Sequence, residues 1–172
     1  MKKNKSLVYW SPFIDNVATI KATYNSVNAL NKYSKSFLDC KIIDVLGEWK
    51  NSKYFGLNKE LFYTLQDIPI LNLFSSKGFI RSRLKYLIIF FYCFIPLKNF
   101  LDKKKPDFLI IHLVTSLPLM LNLIFKFKTK IILRISGKPK INFLRYLFWK
   151  ISLKNVYKIT CPTEETLNYL KE

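Results

Sequence analysis

The sequence predicts an α/β domain built on a Rossmann-like parallel sheet with helices on both faces. Three observations lead there. Between residues 108 and 172, three strand–helix units follow one another with short connections, the alternation that a parallel sheet requires. Their strand-like segments are continuous apolar runs rather than alternating ones, as strands covered on both faces demand. Nearer the N-terminus, a short apolar run is followed by a stretch of helical periodicity.

The elements follow in order. Leu7 to Ser11 is rich in strand formers and ends at Ser11-Pro12, where the chain must leave the strand. Val17, Ile20, Tyr24, Val27 and Leu30 then recur at three- and four-residue spacing, an amphipathic helix with Asp15 or Asn16 as its cap. Cys40 to Leu46 reads as a second strand closed by Gly47, and 48–60 as polar turns. A third strand is expected at Ile68 to Leu73, although Pro69 and Asn72 sit poorly in it. Arg81 to Leu101 is the most apolar segment; its uninterrupted run of twelve residues, Tyr86 to Leu97, would rise ~18 Å as a helix, short of a ~30 Å hydrocarbon core. After the charged break 102–107, Phe108 to Val114 reads as a strand, and Thr115 to Pro118 starts a helix that runs to about Phe127. Lys130 to Ser136 and Val156 to Cys161 are the next two strands. The first leads through Gly137 to a helix opened by Asn142, the second to a helix capped by Thr163, with Glu164 and Glu165 in its first turn.

Composition bounds the class. Half of the 172 residues are hydrophobic and 16% are aromatic, enough to bury a core and to exclude a disordered or collagen-like chain. The length suits one domain, 1–172, whereas an enzyme of two full Rossmann-like lobes typically needs ~300 residues or more. Three widely spaced cysteines without CxxC or histidine neighbours support neither a disulfide framework nor a zinc site. No cofactor or metal is expected. The N-terminus lacks the apolar core and small-residue cleavage site of a secretory signal, so a cytoplasmic location is expected.

The formal net charge is +18, from 29 Lys and Arg against 11 Asp and Glu. Only 77–105 is locally dense in positive charge. Such a surface attracts polyanions in general, nucleic acid or an anionic bilayer alike. Lys77, Arg81, Arg83 and Lys85 beside a long apolar run read either as a basic, aromatic surface lying on an anionic leaflet or as a sheet-covering helix flanked by solvated lysines.

In open α/β sheets, ligands sit beyond the carboxyl ends of the strands. That rule selects Ser11, Asn16, His112, Ser116, Arg134, Ser136, Gly137 and Thr163 as candidate substrate-binding residues. His112, the sole histidine, closes a buried strand, where a neutral imidazole either bonds an acceptor hydroxyl or is satisfied by backbone. Arg134 interrupts an apolar strand, so its guanidinium needs a carboxylate, a phosphate or solvent. Gly137 is read as a tight turn or a close backbone approach. Asn16 and Thr163 are read first as helix caps.

Ser11-Pro12-Phe13-Ile14-Asp15-Asn16, Lys105-Pro106-Asp107-Phe108-Leu109-Ile110-Ile111-His112, Leu133-Arg134-Ile135-Ser136-Gly137 and Lys158-Ile159-Thr160-Cys161-Pro162-Thr163 together resemble the N-terminal domain of bacterial family 4 glycosyltransferases with the GT-B fold. The resemblance spans nearly the whole chain. It implies the acceptor-binding lobe of an enzyme that moves a sugar, with retention, from a nucleotide-sugar to a surface-polysaccharide or lipid-linked acceptor. The nucleotide-binding C-terminal lobe lies outside this chain, so the lobe alone is expected to be inactive and to need a separate C-terminal lobe. Where the family often carries a histidine after the strand matching 130–136, this sequence has Ser136-Gly137, and that role is not transferred to His112. Glu164 and Glu172 reproduce the family's E-x7-E spacing but read as helix-dipole compensation and a solvated end. No catalytic residue is assigned.

Two other classes compete. A small integral membrane protein would place a two-helix hairpin at 84–101 and 108–125 around Lys103-Lys104-Lys105; Pro96, Pro118, His112 and Asn122 count against it. A nucleic-acid-binding module lacks an RNA-binding aromatic motif, a helix-turn-helix signature and a dense Arg cluster, so no nucleic-acid partner is expected.

Overall fold

A computed structural model describes residues 4–13, 18–50, 52–68, 79–139 and 142–171. Six strands form one sheet, β1 (Lys5–Trp10), β2 (Leu38–Asp44), β3 (Phe62–Thr64), β4 (Phe108–Ile111), β5 (Lys130–Arg134) and β6 (Lys158–Thr160). The spatial order is β3-β2-β1-β4-β5-β6 and every pairing is parallel. The helices are α1 (Ala18–Tyr33), α2 (Lys53–Leu57), α3 (Phe79–Lys104), α4 (Ser116–Phe125), α5 (Phe143–Ser152) and α6 (Glu164–Lys171). The Rossmann-like α/β architecture read from the sequence is the one the chain adopts.

Burial on both faces explains the continuous apolar runs. Along β1, Leu7 and Tyr9 join Ile20 and Val27 of α1 with Cys40 and Ile42 of β2 in one core. Val8 and Trp10 point the other way, into a core with Ile89, Cys93, Leu97 and Leu101 of α3, Leu109 and Ile111 of β4, and Leu117 and Leu121 of α4. Alternation is present in space and invisible in sequence, because both sides of the pleat need apolar residues.

Polar side chains close the ends of the ladders. At the amino edge, the Asp107 carboxylate accepts from Ser6 N (2.8 Å) and Ser6 Oγ (3.1 Å), joining β1 to β4. Asn31 of α1 accepts from Cys40 N (2.8 Å) and donates to Cys40 O (2.9 Å). These are the backbone groups of β2 that the short β3, which pairs only from Ile42 onward, leaves without a neighbour. Asn142 caps α5, its Oδ1 accepting from Arg145 N at 2.9 Å.

Four expectations change. The third strand is Phe62–Thr64, not 68–73; Ile68 is irregular, and 69–73 lie outside the described residues. The polar segment 48–60 holds α2 and a 3-10 turn starting at Lys59. Residues 108–111 are a central strand paired on both sides, so 108–125 is a strand and a helix, not half of a helical hairpin. α3 is far longer than its apolar run; by length and composition, 83–104 could cross a membrane. Its inner row, Ile89 to Leu101 at four-residue spacing, is packed into the sheet's core, while Leu87, Phe91 and Ile95 are exposed on its outer side.

The end of β2 is held by buried acids. Asp44 Oδ1 accepts from Trp49 N (3.0 Å), and the Glu48 carboxyl accepts from Val45 N (3.1 Å) and Leu46 N (2.8 Å). Burial, then the nearby Asp44 charge, raises Glu48 above the usual carboxylate range, and burial raises Asp44 as well. The folded Glu48 therefore keeps a proton that the unfolded chain has lost, and its contribution to stability falls as pH rises above the ordinary carboxylate range. In urea titrations, Glu48→Gln should gain on the wild type as pH is raised from acid toward neutrality.

Gly47, in the same turn, has φ +82, and a Cβ there would sit 3.2 Å from Asp67 Oδ1. Gly47→Ala should destabilise by about 1–2 kcal/mol. By contrast Gly137 sits in a bend without a left-handed φ and with nothing within 4 Å of an added Cβ, so no close backbone approach requires glycine there, and Gly137→Ala should stay within about 0.5 kcal/mol of the wild type in the same assay.

Candidate functional site

Because all six strands are parallel, their carboxyl ends meet at one edge. Here β1 and β4 continue past their last residues: His112 N donates to Trp10 O (2.9 Å), and the Trp10 indole Nε1 donates to Val114 O (3.1 Å). Val114 takes φ +48, a left-handed conformation unfavourable for a β-branched residue, with strain of order 1–3 kcal/mol. The wholly buried Trp10 holds its carbonyl there. On the other side of β4, Ile135 N donates to Thr160 O (2.8 Å), extending the β5–β6 ladder.

Between these ends lies a cavity of about 330 Å³, lined by Ala18, Thr19 and Ala22 of α1, by His112, by Arg134 to Ser136, and by Thr160 to Pro162. His112 is only 6% exposed, yet neither ring nitrogen has a hydrogen-bond partner among the described residues, and Thr19 Oγ1 is likewise buried and without a partner among them. Buried polar atoms are almost always satisfied by protein or by ordered water, and the two residues that carry these atoms line the same cavity. Burial, then the neighbouring Arg134 charge, lowers the His112 pKa from 6.5 to about 4. At neutral pH its ring is uncharged, with one donor and one acceptor nitrogen. Arg134, half-buried, is the cation of the group and makes no ion pair or hydrogen bond with the described residues. A neutral donor–acceptor, a hydroxyl and a guanidinium fork suit a ligand of several hydroxyls, with or without an anionic substituent.

Of the eight residues selected from sequence, the cavity brings together His112, Arg134 and Ser136. Ser11 is buried beneath α1, its Oγ accepting from Thr23 Oγ1 at 3.4 Å. Ser116 is the exposed first residue of α4, and Gly137 is exposed beyond the lining. Thr163 caps α6 by accepting from Thr166 N at 3.2 Å. Asn16 and Glu172 lie outside the described residues, and Glu164 is exposed at the start of α6. Sequence reasoning missed Thr19 and Cys161. Cys161 is the first residue after β6, so the strand-end rule applied to every unit would have found it, whereas Thr19, in the first turn of α1, lies beyond that rule's reach.

Among the described residues no cluster of His, Cys, Asp or Glu could hold a metal ion. The cysteines are free, and burial pushes the Cys40 and Cys93 thiols up to about 11 and about 12. Fold and cavity together define a Rossmann-like α/β domain with a largely apolar pocket, carrying a few polar side chains, at the carboxyl edge of its sheet. No family model, curated protein or solved structure matches the chain.

The lowered pKa fixes a sign. Between pH 6.5 and about 4 the unfolded chain takes up a proton at His112 that the folded chain refuses, so the histidine makes the fold less stable as pH falls through that window. His112→Gln, which does not titrate, should gain stability relative to the wild type from pH 6.5 down to about 4 and then level off, read as the difference between paired thermal unfolding curves.

Proposed function

We propose that the chain is the acceptor-binding lobe of a glycosyltransferase, which places a carbohydrate or lipid-linked acceptor for transfer from a nucleotide-sugar. The observation that carries this reading is the buried imidazole of His112, with no hydrogen-bond partner among the described residues, in the wall of the same cavity as Arg134, which is unpaired among those residues. A neutral imidazole can give one hydrogen bond to a sugar hydroxyl and take one from another, and burial makes both directional. Arg134 and the Thr19 hydroxyl would orient the rest of the acceptor. The nucleotide-sugar would be held by a second lobe, as a further segment or a separate polypeptide, closing over the carboxyl edge. The chain would work in the cytoplasm.

The test is binding of an oligosaccharide panel and of sugar-diphosphate lipids in detergent, by calorimetry. An acceptor glycan should bind the wild type, and Arg134→Gln and His112→Gln should each weaken it about tenfold or more, the usual consequence of leaving a buried partner unpaired. Tight binding of nucleotide-sugar with no binding of any glycan would overturn the assignment to the acceptor side.

A further inference from the structure

At the opposite, amino edge of the sheet lies a second cavity of about 380 Å³, between the end of α4 and the turn after α5, above the starts of β5 and β6. Its walls carry Lys126, Lys128, Lys130 and Lys154, and no carboxylate. Among the described residues the ion pairs are Lys50–Asp67 and Lys98–Asp102, so none of the four lysines forms one there. Lys130 is held over the Tyr157 ring at 4.8 Å. The walls are tied together. Lys126, in the left-handed region, closes α4 by donating its N–H to Asn122 O (2.9 Å), and the buried Asn122 donates from Nδ2 to Asn155 O (3.3 Å). Like charges gathered around one cavity repel unless an anion lies among them.

The surface beside this cleft is apolar. Ile124 and Phe125 immediately precede Lys126, Ile151 lies three residues before Lys154, and all three are exposed. Further along α5, Phe143, Leu144 and Leu147 are exposed, as are Phe91 and Ile95 on α3. α4 contacts both α3 and α5, so the three helices form one layer. An apolar helical layer edged with lysines is the arrangement that lies in the headgroup region of an anionic bilayer. A second copy of the chain would bring the same lysines to the cleft, which charge repulsion opposes.

We propose that this cleft takes the phosphate headgroup of an anionic lipid and seats the α3–α5 layer on the bilayer. The proposal is independent of what the cavity at the carboxyl edge binds. It places the cation cluster at the lipid phosphates and the exposed apolar side chains at the acyl boundary.

The test is co-sedimentation of the chain with phosphatidylcholine vesicles, with or without phosphatidylglycerol, at low and high salt. Binding should require phosphatidylglycerol and weaken as salt rises. Lys126→Gln/Lys128→Gln/Lys154→Gln should bind roughly 100-fold more weakly, about fivefold per lysine near an anionic surface. The equally charged control Lys21→Gln/Lys35→Gln/Lys53→Gln, altered around α1 and α2, should bind as the wild type does. Arginine at the three cleft positions should restore binding, which separates charge from misfolding. Equal loss in both triple variants would overturn the site in favour of diffuse attraction. So would binding to pure phosphatidylcholine, or inorganic phosphate occupying the cleft while vesicles are ignored.

Discussion

The side chain and carbonyl of Trp10 are what the carboxyl edge depends on. The carbonyl takes the His112 amide and so carries the β1–β4 ladder one residue past the strand; the indole holds the Val114 carbonyl and so sets the loop that leaves it. With no exposed surface, Trp10 has one arrangement available, and His112 inherits its position from it. Parallel pairing does the rest, since it brings the ends of β1, β4, β5 and β6 to the same place. A ring that would otherwise be an isolated buried polar group becomes part of a wall.

Burial then decides the charge at each end of the sheet. At the carboxyl edge, Asp44, Glu48 and His112 are all shifted toward their uncharged forms, chiefly by desolvation. Arg134 is the cation left beside the cavity. The amino edge reverses the balance, with lysines around a cleft that carries no carboxylate. One domain therefore presents a cavity with a single cation, Arg134, at one end and a cleft with four lysines at the other, an asymmetry that the net charge of +18 does not reveal.

Strands buried on both faces were legible because they leave long apolar runs; β1, β2, β4, β5 and β6 were all anticipated within a few residues. β3 was not, because Phe62–Thr64 is a three-residue edge strand that is only partly buried, and so short an element has no periodicity to read. The strand-end rule found His112, Arg134 and Ser136, but it could not tell a residue that faces the cavity from one that faces a helix. Ser11 is just as near a strand end and turns under α1 instead. Thr163 was recognised as a cap as well as a site candidate, and capping is what it does. Thr19 was hidden because a threonine in the first turn of an amphipathic helix reads as solvated. Gly137 and Gly47 differ in backbone angle and surroundings, which residue type alone does not disclose.

His112 is the only histidine, so its imidazole nitrogens give an unobstructed NMR signal from the centre of the cavity. The most direct measurement is that spectrum, titrated with acid and then, at neutral pH, with an acceptor oligosaccharide. The account predicts a single neutral ring that protonates only near pH 4 and whose two nitrogen shifts move when the glycan binds. A ring that titrates near its ordinary value of about 6.5, or one that stays unmoved while glycan binds, would contradict it.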